Sequence, residues 1–65
     1  MNIPQLTNRQ REVCYLLMLG LTYKEIGKRL SISRRTAEDH ILDAMVKFGV
    51  HSGRHLLSKL WAMAE

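Results

Sequence analysis

What the sequence has little of narrows it first. A single cysteine, Cys14, occurs in 65 residues, so no disulfide can close within the chain. Its apolar neighbours make it a buried hydrophobe rather than a nucleophile, and a reducing cytosol is the expected setting. No apolar run approaches the ~20 residues needed to span a bilayer. The opening MNIPQ has neither the basic start nor the long apolar stretch of a secretory signal, and no lipidation motif is visible. These absences predict a soluble, cytoplasmic protein without membrane contact. Glycine-rich phosphate loops, paired catalytic carboxylates and hydrolase-triad spacings are also missing, so neither enzyme chemistry nor a cofactor is expected. His51 and His55 have helical spacing but no third ligand nearby, and Cys14 belongs to another helix, so no metal site is expected. No repeat, low-complexity tract or linker divides the chain.

What is present is a small, half-apolar, basic chain. Hydrophobic residues make up 46%, enough to reject disorder. The length predicts one domain over residues 1–65. A chain this short buries only ~60% of its unfolded surface, so helical packing or a partner subunit would add needed stability. The formal charge of +4 is unevenly placed. Residues 22–35 hold Lys24, Lys28, Arg29, Arg34 and Arg35 against one acid, Glu25, and the remaining five basic and five acidic side chains cancel. The whole excess therefore lies in one short segment, which is the footprint of a phosphate-binding surface or of a solvated helical face.

The patterning predicts an all-α chain of four helices. Thr7 and Gln10 form a capping box, opening a helix from about Asn8 to Leu19 with Val13, Leu16, Leu17 and Cys14 as its core stripe. Gly20 is placed to end it in the left-handed conformation. Thr22 and Glu25 repeat the capping box, so a second helix spans about Tyr23 to Leu30, with Ile26 and Leu30 on one face. Gly27 inside so short a helix costs ~1 kcal/mol relative to alanine and predicts close approach of another helix. The Ser31-Ile32-Ser33 segment breaks the pattern: Ile32 can plug the core and Ser33 can cap a third helix reaching about Phe48. Ala37, Ile41, Ala44, Met45 and Phe48 fall within a ~100° arc of that helix. Gly49 closes it, and Ser52 or Gly53 opens a fourth helix to about Ala64.

Two helices separated by three or four turn residues, the second beginning with arginines, match the helix-turn-helix arrangement, here about residues 22–42. On the third helix Arg35, Asp39, Leu42, Asp43 and Val46 lie opposite the core arc, flanked by Arg34, Thr36 and Glu38. Arg34 and Arg35 at a helix N-terminus oppose the macrodipole. Glu38 and Asp39, each four residues on, can compensate weakly, and DNA phosphate or a guanine edge can do so from outside.

The run LTNRQREVCYLLMLGLTYKEIGKRLSISRRTAEDHILDAMVKFGV, Leu6 to Val50, closely resembles the LuxR-type (NarL-type, GerE-type) DNA-binding domain. The family pattern is roughly L-T-x-R-E-x-E-V-L, G-x-[ST]-x-K-E-I-A, L-x-[IL]-S-x-x-T-V-x-x-H and K-[LF]-x-V. The resemblance implies a four-helix domain whose third helix reads double-stranded DNA and whose fourth, about residues 53–64, pairs two copies. Glu38, Asp39 and Leu42 match positions that read bases in relatives; with Arg34 and Arg35 they form the expected base-reading set. Lys24, Thr36 and Lys47 match positions suited to phosphate, and Thr22, Lys28 and Arg29 complete the expected phosphate set. Departures are Glu38 where many relatives have lysine, Asp39, Leu42, Ala37 for valine, Gly27 for alanine and Gly53 for arginine, with Arg54 adjacent. Base preference is therefore not inherited.

The fourth helix carries two apolar stripes, Leu56-Leu60-Met63 and Leu57-Trp61-Ala64, of which packing on three helices can bury about one. The second stripe predicts a homodimer interface at Leu57, Trp61 and Ala64. Most relatives attach this domain to a receiver or ligand-binding domain, whereas this sequence starts directly at Met1, so a transcriptional regulator without a sensor domain is expected. A second reading remains open: an interaction protein that pairs with a full-length LuxR-type regulator and spoils its DNA binding. Glu38, Asp39 and Asp43 favour that reading, and the all-basic excess in 22–35 weighs against it.

Overall fold

Local stop and start signals divide the chain before tertiary packing does. A computed structural model describes residues 5–64 and shows four helices among them: α1 (Asn8–Met18), α2 (Tyr23–Leu30), α3 (Arg34–Phe48) and α4 (Gly53–Ala64). The first four residues of the segment read for a secretory signal lie outside the described residues. Both capping boxes form. The Thr7 hydroxyl accepts from the Gln10 N–H at 3.1 Å while Gln10 Oε1 accepts from the Thr7 N–H at 3.1 Å. Thr22 and Glu25 do the same at 3.2 and 2.8 Å. Each box satisfies two amides that a helix start otherwise leaves unpaired. Ser33 caps α3 by accepting from the Thr36 N–H at 3.0 Å, and Ser52 caps α4 by accepting from the His55 N–H at 3.1 Å.

The first three helices end in one repeated device. Leu21, Ile32 and Val50 donate their backbone N–H groups back to the carbonyls of Leu16, Gly27 and Met45, at 3.2, 2.9 and 3.0 Å. The residue before each is left-handed: Gly20 at φ 94°, Ser31 at φ 56° and Gly49 at φ 69°. This is the Schellman closure, whose last residue is typically apolar and folds back onto the helix. Leu21, Ile32 and Val50 are all partly buried against the core, so each stop signal also contributes to packing. Ser31 is the exception in residue type, because an L side chain in this conformation carries strain that glycine avoids.

The core consists of Val13, Cys14, Leu16, Ile26, Ala37, Ile41, Ala44, Leu56 and Leu60, drawn from all four helices. Ile26, Ile41, Leu56 and Val13 are its largest fully buried side chains, each contributing roughly 1.5–3 kcal/mol through apolar burial. The helix α3 packs on each of the other three and is the centre of the bundle. Its small buried residues, Ala37 and Ala44, let neighbours approach closely. The close approach predicted at Gly27 is present, and its neighbours are the turn and the first residue of α3. A Cβ at Gly27 would lie 2.8 Å from the Ile32 carbonyl oxygen and 3.2 Å from the Arg34 nitrogen. The α2 backbone thus rests directly on the start of α3.

Candidate nucleic-acid interface

With Ala37, Ile41 and Ala44 turned into the core, the opposite side of α3 must face outward, since successive side chains rotate by 100°. Arg34, Arg35, Asp39, Leu42, Asp43 and Val46 are exposed, and Thr36, Glu38 and His40 are half-buried. The five expected base readers therefore share the outer side of one helix. Leu42 is 54% and Val46 79% exposed, unusual for aliphatic side chains four residues apart with no partner in the fold. Arg34 and Arg35 stand at the first two helical positions, next to the turn that Gly27 supports. Arg34 Nε donates to Glu38 Oε1 at 2.9 Å, and Arg35 Nε lies 3.5 Å from Asp39 Oδ1.

The expected phosphate set is distributed around this helix. Lys24, Lys28 and Arg29 project from α2 into solvent. The hydroxyl oxygens of Thr22 and Thr36 already accept hydrogen bonds, Thr22 from the Glu25 N–H and Thr36 from the Ser33 hydroxyl, but each O–H remains able to donate. Glu25, the one acid of the basic segment, is held well inside its ionised range. The Thr22 backbone N–H is the largest cause lowering its pKa, followed by the Thr22 side chain and the charge of Lys28. Lys47 sits near the C-terminal end of α3, where its ammonium donates to Gln10 Oε1 at 2.8 Å, and two of its three N–H groups remain free for another acceptor. Sequence reasoning missed this contact. No signal in the sequence could have found it, since Gln10 stands among Asn8, Arg9, Arg11 and Glu12, and its burial to 7% exposure emerges only on folding.

The fourth helix divides only in part along its two stripes, since Met63 of one and Leu57 of the other are both half-buried. Leu56 and Leu60 are buried and Met63 is half-buried, whereas Trp61 is 51% exposed, Ala64 is exposed and Leu57 is half-buried. The Tyr23 hydroxyl lies 3.5 Å from where a Cβ on Gly53 would stand, an ordinary van der Waals distance, so nothing in the packing requires glycine there.

Other chemistries find no constellation among the described residues. The Cys14 thiol is buried and its pKa is raised by desolvation, which suppresses the reactive thiolate. A groove of about 550 Å³ beside it is mostly apolar, lined by Leu6, Tyr15, Met18, Phe48 and Leu60 among others, and includes no residue of the basic segment. No group of three or more His, Cys, Asp or Glu is gathered for a metal, and no helix is long and apolar enough to cross a membrane.

The sequence profile described as bacterial regulatory proteins, luxR family, matches residues 4–60. The chain is 49% identical over 53 residues to the uncharacterized response regulatory protein YgeK of Escherichia coli K12, covering 82% of this chain but 36% of that protein. It is 44% identical over 62 residues to the spore germination protein GerE of Bacillus subtilis, covering 95% of this chain and 84% of that protein. The solved structure of the transcription factor GerE superposes with a TM-score of 0.81 at 32% identity, over 91% of this chain and 88% of that one. The chain thus spans about a third of one relative and most of another.

Proposed function

Because the chain belongs to the luxR family of bacterial regulatory proteins, whose members are transcription regulators and not enzymes, we propose that it binds double-stranded DNA in the cytosol and regulates transcription. The observation that carries this reading is the exposed side of α3, which begins with Arg34 and Arg35 and is flanked by the exposed cations of α2. In this reading α3 lies in the major groove, whose width admits one helix. Arg34, Arg35, Glu38, Asp39 and Leu42 face the base edges, Leu42 being suited to a thymine methyl. Thr22, Lys24, Lys28, Arg29, Thr36 and Lys47 contact the backbone and set the register without reading sequence. A helix-turn-helix over 22–42 is able to make these contacts by itself.

The binding unit proposed is a two-fold homodimer joined through α4. An exposed tryptophan within an apolar stripe is the kind of anchor that interfaces use. Two-fold pairing would present two recognition helices to successive major grooves, about one helical turn (~10 bp) apart.

Selection of bound sites from random duplex DNA, followed by salt titration on the selected site, tests the reading. Inverted repeats and a log–log salt slope of about −7 are expected, since the four cations of the phosphate set in each of two protomers contribute ~0.9 apiece. A flat salt response, or no binding even in dilute salt, refutes it and favours a partner that pairs with a LuxR-type regulator instead.

A further inference from the structure

The two arginines that open α3 are arranged against the helix's own preferences. Acidic side chains stabilise a first turn and basic ones a last turn, and an i,i+4 ion pair is better with the acid on the N-terminal side. Here the order is reversed twice, Arg34 before Glu38 and Arg35 before Asp39, and the first turn of α3 contains no acid. Helix stability is therefore only a weak account of the two pairs. The two pairs share one approach and differ in closeness: in both the guanidinium meets the carboxylate through Nε, as a hydrogen bond at 2.9 Å for Arg34 and as a looser ion pair at 3.5 Å for Arg35, and the end edge formed by the two Nη groups is not needed for either contact. In both, the arginine stands further into solvent than its acid: 69% against 34% exposed side chain for the first pair, and 83% against 57% for the second. A ligand approaching this side meets guanidinium first and carboxylate second.

Building on the DNA-binding reading above, we propose that Glu38 and Asp39 are positioning residues that hold the guanidiniums of Arg34 and Arg35 by Nε, so that the free Nη edges read guanine. Guanine presents O6 and N7 side by side in the major groove, which matches the paired donors of a guanidinium. A carboxylate at Nε limits the rotamers of a long side chain before DNA arrives, so less freedom is lost on binding. It also offsets the charge of the arginine, which biases that side chain away from indiscriminate phosphate binding and toward the base edge. The carboxylates themselves then make no base contact, a different task from the base reading that their family positions imply. Guanines in the half-site are the consequence for this chain.

The test uses the full chain and a duplex selected from random sequence, with affinities measured for that site and each single-base variant. The variants are Arg35→Ala, Asp39→Asn, Asp39→Glu and the double Arg35→Ala/Asp39→Asn, with Arg34→Ala and Glu38→Gln as the second pair. Arg35→Ala is expected to abolish a preference for guanine at one base pair, worth about 5- to 150-fold. Asp39→Asn should weaken the same preference at the same base pair, by about fivefold. The double variant should be no less selective than Arg35→Ala alone, and Asp39→Glu, which keeps a carboxylate within reach, should restore selectivity. Replacing that guanine with 7-deazaguanine should cost the parent more than it costs Asp39→Asn. A merely structural role would lower affinity for every variant site equally, and that result overturns the proposal. So does Asp39→Asn acting at a different base pair, which would make the carboxylate a base contact, or raising affinity for all duplexes alike, which would make it a repulsive charge. A parent protein that selects no site overturns the DNA-binding reading itself, whereas selective binding with independent arginine and acid effects overturns only the positioning role.

Discussion

Lys47 joins the end of α3 to the start of α1, and removing its ammonium isolates what that link is worth. Lys47→Met keeps most of the aliphatic stem and deletes the donor to Gln10 Oε1, a bond between residues 37 apart in sequence. Hydrogen bonds with a charged partner contribute ~1.5–3 kcal/mol in general. Two features lower the figure. Lys47 is an exposed residue, where solvent competes for its ammonium, and Gln10 Oε1 keeps the Thr7 N–H at 3.1 Å, so no buried acceptor is orphaned. About 1 kcal/mol is the resulting expectation. For a chain of this length the total stability is on the order of 3–10 kcal/mol, and 1 kcal/mol corresponds to a fall in Tm of about 4–8 °C. Thermal melting followed by circular dichroism measures it, with Lys59→Met as the control for losing an exposed lysine of α4. Gln10→Glu makes the complementary change, restoring the glutamate of the family pattern; it should raise Tm in the parent and give a smaller gain in Lys47→Met. If Lys47→Met melts within a degree of Lys59→Met, the link adds nothing and the reasoning fails. A second readout is separate: with its ammonium on phosphate, Lys47→Met lowers the salt slope of DNA binding by ~0.9 per protomer, about 1.8 for the dimer.

Three further outcomes follow from named contacts. Ser31→Gly should raise the unfolding free energy by about 0.5–1 kcal/mol, read as a higher urea midpoint, because glycine removes the left-handed strain at φ 56°; an unchanged or lower midpoint would show that Ser31 is not strained. Trp61→Ala should leave the melting curve nearly intact, since the ring is half exposed, while shifting sedimentation on the operator from dimer to monomer; undiminished pairing would remove α4 from the interface. Glu25 has a folded pKa below its unfolded one, so its capping contribution is complete above the ordinary glutamate range and is lost as pH falls through that range to the lowered folded pKa. Glu25→Gln retains a reciprocal acceptor without the titration. Acid melts of the two proteins should therefore converge at low pH, and parallel curves would contradict the assignment.

The helices were legible in the sequence because their ends are written locally. Thr7 with Gln10, Thr22 with Glu25, and Gly49 need only neighbours within four residues to act. The outer side of α3 was equally readable, since burial of Ala37, Ile41 and Ala44 leaves Arg35, Asp39, Leu42 and Val46 nowhere else to point. Contacts that depend on folding were not readable. Nothing near Gln10 or Lys47 indicates that they meet. Ser31 gave no sign of its left-handed backbone, because that conformation usually selects glycine. Gly27 announced a close approach but not its partner, since spacing reveals that a side chain must be absent and not what fills the space.

The contact at Gly27 has a consequence for how such a protein can change over generations. The tilt of α3 relative to α2 rests on backbone touching backbone, the α2 helix at Gly27 against Ile32 and Arg34, so none of the side chains on the outer side of α3 is needed to maintain it. Substitutions at Glu38, Asp39 or Leu42 can accumulate while the frame that aims them stays the same. A lineage can thus acquire a new target through steps that each remain foldable, with the supporting turn inherited unchanged beneath them.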